Sequence, residues 1–317
     1  MDRKKIIFDT DIGGDSDDVV ALDLFISAQR QGICSLLGVS CTSLIPEGFS
    51  CARAVLTSHG MEDVALCAMK PTRDYPHWYG RLVTQAFPRL ARFEEKVPLP
   101  LPVLRRLIAD NPGVILVVTG ECTNLSELLK SPSDDISPLN GVELVRQNVS
   151  FISLMAGNFV HQNGILAEDP EYLPDGSIKP CPEWNVICNI PAAETVFSLC
   201  PVDLYVLPYE AGYQVISGKV LYERGPSCPD GFAFHTEERF RGGRDSWDPM
   251  AAYFALYGAS PCFTVSSGGN ITVDAQGITS FIPSPHGHHY IVQRALSKDE
   301  IGRAIDFEIA KLFDMQE

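Results

Sequence analysis

The 317-residue chain is long enough for one large α/β domain or two modest ones, and its 45% hydrophobic and 21% charged residues are ordinary for a folded globular protein. A formal net charge of -15 excludes a nucleic-acid backbone or an anionic membrane surface as a natural partner, because both would be repelled; a neutral or cationic small molecule or a metal ion fits better. The opening Met1-Asp2-Arg3-Lys4-Lys5 runs straight into Ile6-Ile7-Phe8, too short an apolar run for a signal peptide, and no segment has the apolar length of a membrane span.

Short β-branched runs alternate with amphipathic stretches, the order of parallel strands joined by crossover helices. The pattern predicts a strand over 5–9, a helix over 17–31, a strand over 33–42, a helix over 49–59 stopped by Gly60, and a strand over 64–68. Residues 71–102, rich in aromatics, prolines and charges, read as a long excursion lying over a site. Regular structure resumes with a helix over 103–109, a strand over 114–118, a helix over 122–130 and a strand over 151–155. A second long polar loop, 158–182, precedes a helix over 191–199 with Pro191 in its first turn and a strand over 202–207. A helix over 248–257, strands over 263–265 and 271–273, and a helix over 301–313 complete the chain. With no internal repeat or low-complexity linker, the expectation is a single domain over 1–317 with long loops at about 70–102 and 158–185. Its class is α/β, an open, mostly parallel doubly wound sheet with helices on both faces. The ten cysteines form no CxxC pair and lie mostly in apolar stretches, so they read as reduced thiols of a cytoplasmic protein.

Between the first strand and helix, Asp9-Thr10-Asp11-Ile12-Gly13-Gly14-Asp15-Ser16-Asp17-Asp18 packs five carboxylates into a glycine-bearing turn. Like charges this close raise one another's pKa unless a cation offsets them, which points to a hard, oxygen-seeking ion such as Ca²⁺ or Mg²⁺. Helix capping by Asp15 and Asp17 accounts for only one or two of the five. Downstream, Val118-Thr119-Gly120-Glu121-Cys122-Thr123-Asn124 leaves a strand and enters a helix. In Glu183-Trp184-Asn185 an acceptor and an amide two residues apart suit a polyol, and Trp247-Asp248-Pro249 opens a helix.

The first motif resembles the N-terminal signature of the inosine-uridine nucleoside hydrolase family, an Asp-x-Asp-x-Gly turn followed by an Asp-Asp pair. The other three resemble that family's later motifs in the same order. The resemblance implies calcium-dependent hydrolysis of the N-glycosidic bond of a ribonucleoside or related N-riboside. It implies Ca²⁺ ligands at Asp11, Asp18, the Thr119 carbonyl and Asp248, with Asp11 also the general base. It further implies sugar binding by Asp17, Glu183 and Asn185, with Asn158, Trp184 and Trp247 as additional substrate contacts, in a homo-oligomer (dimer or tetramer). The loop is longer than the family's, since Gly14-Asp15-Ser16 separates Gly13 from the pair, and this makes Asp15 a further candidate ligand.

Two features depart from the family. Trp247 stands where the best-known members have a histidine near the leaving base, and an indole donates no catalytic proton at ordinary pH. Ser43-Leu44-Ile45-Pro46-Glu47 lacks the family's asparagine. His77, His161 and His235 are alternative proton donors in loops, His286, His288 and His289 read as a polar turn between late strands, and Arg53 and Arg244 read as solvated unless an anion is bound. Base specificity therefore does not transfer. Two other functions stay open: an aspartate-nucleophile phosphohydrolase, which also follows a strand with Asp-x-Asp, and a nucleoside- or sugar-binding homologue without turnover.

Overall fold

A computed structural model of the chain describes residues 3–42, 47–70, 79–92, 97–163 and 170–314. Among these residues the strands are β1 (Lys4–Thr10), β2 (Cys34–Cys41), β3 (Ala65–Ala68), β4 (Val114–Val118), β5 (Val149–Met155), β6 (Leu204–Leu207), β7 (Ile216–Ser217), β8 (Arg244–Asp245), β9 (Phe263–Val265), β10 (Gly269–Val273), β11 (Thr279–Pro283) and β12 (His289–Arg294). Among the described residues the helices are α1 (Asp17–Arg30), α2 (Gly48–Ser58), α3 (Tyr79–Ala86), α4 (Pro88–Ala91), α5 (Pro100–Asp110), α6 (Thr123–Lys130), α7 (Gly141–Asn148), α8 (Val160–Asn163), α9 (Trp184–Cys188), α10 (Ile190–Leu199), α11 (Tyr209–Gly212), α12 (Lys219–Arg224), α13 (Pro229–Ala233), α14 (Trp247–Tyr257) and α15 (Lys298–Asp314).

The main sheet runs β11-β10-β12-β6-β5-β4-β1-β2-β3, with β9 also paired to β12. From β12 to β3 every pairing is parallel, and β9, β10 and β11 add antiparallel pairings at one end. Alternation along β1 shows why both faces must be covered. Ile6 and Phe8 join the core beneath α1, α2, α14 and α15, whereas Ile7 joins the core of the opposite face with α5, α6, α7 and α10. The doubly wound α/β class read from the alternation is thus the observed one.

β1 lies between β2 and β4, so the chain departs from it in both lateral directions. Loops leaving the carboxyl ends of two such strands diverge and leave a crevice where ligands bind in open α/β sheets.

Several expectations need correction. The described parts of 71–102 are mostly helical, because Tyr79, Val83 and Ala91 are apolar anchors that find the core. The 158–182 loop contains α8 and the isolated Tyr172–Ile178 bridge. The helix α7 falls where only loop was expected, and β11 and β12 are the late strands on either side of the polar turn, with bounds the sequence pattern did not assign. His289 is no turn residue: it opens β12, is buried, and its Nδ1 accepts a 2.9 Å hydrogen bond from the Ile271 N–H. All ten cysteines are free. No described helix is long and apolar enough to cross a membrane.

Candidate active site

A cavity of about 340 Å³ opens over the carboxyl end of β1, lined by Asp11, Gly14, Asp15, Asp17, Asp18, Thr119, Met155, Glu183, Trp184, Asn185, Tyr209, Arg239, Arg244, Trp247 and Asp248. The loop after β1 supplies Asp11, Gly14 and Asp15, the start of α1 supplies Asp17 and Asp18, the loop after β4 supplies Thr119, the end of β5 supplies Met155, and the starts of α9, α11 and α14 supply most of the rest.

The acidic turn is held from below and behind. Gly13, at φ 116°, donates its N–H to the Tyr79 hydroxyl at 2.8 Å and accepts from Gly80 N–H at 3.0 Å, so the start of α3 braces the loop. Gly120 backs directly onto it: a Cβ there would lie 2.9 Å from the Asp11 nitrogen and 2.8 Å from Thr42 Cγ2. Asp9, buried beneath the cavity, accepts from the Asn124 amide at 2.7 Å, and burial pushes its carboxyl up to about 7.

Asp11, Asp18 and Asp248 each offer an oxygen within 4.8 Å of the others. The Thr10 hydroxyl donates to Asp18, and Asp17 accepts from the Asp248 N–H at 3.0 Å, which ties α1 to the first turn of α14. Removal from bulk water pushes the carboxyls of Asp11, Asp17 and Asp248 well above the usual carboxylate range, and their negative neighbours add to it. Burial raises Asp18 as well, partly offset by hydrogen bonds from Asp248 and Thr10. Four carboxyls so placed release their protons together only if positive charge arrives among them. The donors are all oxygen, as a hard cation requires, so this cluster fits a divalent metal ion.

Asp15 belongs to a different arrangement. Arg244 grips it with two parallel hydrogen bonds, Nε to Oδ1 at 2.7 Å and Nη2 to Oδ2 at 2.8 Å, and also pairs with Asp245. Arg244 is therefore a part-buried cation committed to two carboxylates. Its guanidinium also lies 4.8 Å from the Trp247 ring, which stacks on Tyr209 at 5.5 Å, and Tyr209 stacks on Tyr213 at 5.3 Å. The Trp247 Nε1–H donates to the Tyr209 carbonyl at 3.0 Å.

Glu183 caps α9, its oxygens accepting from the backbone N–H groups of Asn185, Gly157 and Val186 at 2.8, 3.1 and 3.2 Å. Burial lifts its carboxyl to about 7 against those three bonds. The Asn185 amide donates to the Thr119 carbonyl at 2.7 Å and the Met155 carbonyl at 3.2 Å, locking two strand ends together. Trp184 is half exposed at the rim shared with a neighbouring cavity, and Asn158 lines that second cavity rather than the first. Of the alternative proton donors, His161 and His235 line neither cavity, His235 stacking instead on Tyr222, and His77 lies outside the described residues. Glu47 pairs with Arg81 at 2.8 Å and also stays off the cavity wall.

Tyr209, Arg239 and Met155 line the cavity without having been singled out from the sequence. Tyr209 had a readable signal, since it follows β6 by one proline at a strand end like the others; Arg239, in a short 3₁₀ turn over 238–240, had none.

A family model for inosine-uridine preferring nucleoside hydrolases matches residues 6–280. The chain belongs to that family. Nucleoside hydrolases cleave N-glycosidic bonds, so the protein is a hydrolase of N-glycosyl compounds. The solved structure of an inosine-uridine preferring nucleoside hydrolase from Bacillus anthracis is similar at a TM-score of 0.67 and 18% identity, with 98% of each chain covered. The type III effector protein XopQ, solved in complex with adenosine diphosphate ribose, is similar at 0.64 and 17% identity, covering 98% of this chain and 93% of its own. The effector protein XOO4466 gives 0.66 and 17%, covering 98% and 94%. At these identities the likeness extends to the nucleoside hydrolase fold alone. No curated protein matches the chain significantly.

Proposed function

We propose that the protein hydrolyses the N-glycosidic bond of a ribonucleoside or related N-riboside in a calcium-dependent reaction at this cavity. One observation carries the reading: three carboxylates from the β1 loop, α1 and α14 converge at the carboxyl end of β1, at the switch point of the sheet. Asp11, Asp18, Asp248 and the Thr119 carbonyl would hold the ion. Calcium, when bound, supplies a Lewis-acid centre that orients the sugar diol and lowers the cost of ionising water.

The chain's own residues do the rest. Asp11 takes the proton of the attacking water as it approaches the anomeric carbon. Asp17 binds the ribose hydroxyls. As the bond to the base lengthens, positive charge grows on the sugar, and the surrounding carboxylates stabilise it. Trp247 and Tyr209 form an aromatic wall on which the base stacks. Asn185 positions the Thr119 carbonyl.

Asp11→Ala is expected to abolish release of reducing sugar from a panel of purine and pyrimidine nucleosides, a loss of at least about 10³-fold if a general base and a metal ligand go together. Chelation with EGTA should do the same to the unaltered protein, and added calcium should restore the rate. Undiminished turnover by Asp11→Ala would overturn the mechanism.

A second reading rests on Trp247, whose N–H is occupied by the Tyr209 carbonyl and cannot assist a leaving base. It is a protein that binds nucleosides or sugars without turnover. Calcium-dependent ribose binding by calorimetry, with no product after long incubation, would identify it. Phosphate release from phosphomonoesters without any free sugar would instead favour an aspartate-nucleophile phosphohydrolase.

A further inference from the structure

Among the described residues a second cluster of metal-ligating side chains joins Asp23 of α1, His59 at the end of α2 and Asp230 of α13, with one ligand atom of each within 4.8 Å of the others. His59 Nε2 lies 3.1 Å from Asp230 Oδ2 and 3.7 Å from Asp23 Oδ1. An α-helix rises about 1.5 Å and turns about 100° per residue. Asp23 therefore sits roughly 7.5 Å along α1 from Asp18 and about 140° round it. The two clusters occupy different faces of one helix.

Asp23 carries the inference. It is wholly buried, yet neither of its carboxylate oxygens has a hydrogen-bond partner. A carboxylate stripped of water and of hydrogen bonds is among the least favourable groups a core can contain, unless something positive shares its space. The two nearby arginines do not supply the missing bonds. Arg30 donates to the carbonyls of Leu312 and His59, and Arg224 lies over the Phe313 ring at 3.7 Å. The other ligands are directed: Asp230 Oδ1 accepts from the Gly231 N–H at 2.9 Å, which turns Oδ2 towards His59.

The spacing and donor types identify the class of ion. Tetrahedral zinc with ligands at about 2.0–2.1 Å separates its ligand atoms by about 3.3 Å. The observed 3.1 and 3.7 Å bracket that value. Imidazole nitrogen beside carboxylate oxygen suits a transition-type divalent ion better than calcium. We propose that Asp23, His59 and Asp230 form a second metal site, separate from the catalytic cavity, that binds a zinc-type divalent cation and ties α1, α2 and α13 together.

The test uses the full chain and zinc itself. Protein stripped with chelator, dialysed against zinc with calcium saturating, then desalted, should retain one equivalent of zinc by mass spectrometry and show a raised Tm. His59→Gln, which keeps a donor towards Asp230, and Asp23→Asn should each lose that equivalent. Asp248→Asn, in the other cluster, should keep it. No retained zinc, or zinc that His59→Gln does not reduce, overturns the proposal. If the substitutions prevent folding, wild-type crystals grown with zinc decide. An anomalous peak among the three side chains supports the site, and its absence there removes it.

Discussion

Trp247 opens α14 with its ring in the cavity wall and its one polar atom committed to the backbone of α11. A side chain so fixed contributes surface rather than protons. Stacking of this kind is worth about 0.5–1.5 kcal/mol beyond area burial. Trp247→Phe is therefore expected to raise KM for nucleosides roughly 3- to 10-fold while kcat stays within about twofold. Steady-state kinetics checks this; a fall in kcat at constant KM would mean that the indole acts in the transition state. The residues legible beforehand, Asp11, Asp18, Thr119 and Asp248, share a reason for being legible. Each adjoins a strand end or helix start, where an acid or a glycine in sequence has few structural duties. Tyr209 stands at the same kind of position, just past the end of β6, and its signal was there to be read. Asp15 was readable as an acid of the cluster, but its pairing with Arg244 joins residues far apart in the chain and no local pattern reveals it.

At the scale of elements, the loop after β1 keeps its shape because the loop after β4 presses against it with no side chain between them. Gly120→Ala would force a methyl into a space 2.9 Å from the Asp11 nitrogen. Overpacking of that kind costs about 1–3 kcal/mol. It should lower the thermal midpoint and cut turnover at least tenfold by moving Asp11. Gly242→Ala is the control, since nothing lies within 4 Å of its added carbon; thermal unfolding and turnover of the two variants, measured together, check the contrast. The parallel strands were readable because burial on both faces makes them continuous apolar runs, as in Val114–Val118. β11 and β12 were not, because their outer positions are part-exposed and their flanks carry proline, glycine and histidine. The start of α7 did carry its signal: Asn140 and Glu143 form a capping box, three residues apart, ahead of Leu144 and Val145.

Across the whole molecule, the far end of the sheet is where acidity should act first. Burial, with a smaller push from His288, holds His289 down to about 4, and its Nδ1 must stay unprotonated to accept from Ile271. The unfolded chain titrates this group near 6.5, so it binds the proton that the folded chain refuses. Stability from this source is intact above about pH 6.5 and declines as pH falls towards 4. The raised carboxyls of the cavity weigh the opposite way, so the difference between wild type and His289→Gln isolates the histidine. Urea midpoints at pH 7.5 and 5 should converge for the two proteins at the lower pH; parallel shifts would refute the assignment. The cavity also has a history in the chain's synthesis. Its acids at Asp11 and Asp18 emerge from the ribosome early, while Asp248 and the Arg244 that restrains Asp15 emerge late. A nascent protein thus carries an incomplete, self-repelling loop through most of translation, and any product stopped before α14 has the strands from β1 to β6 but lacks both β9 to β12 and the last carboxylate of the cluster.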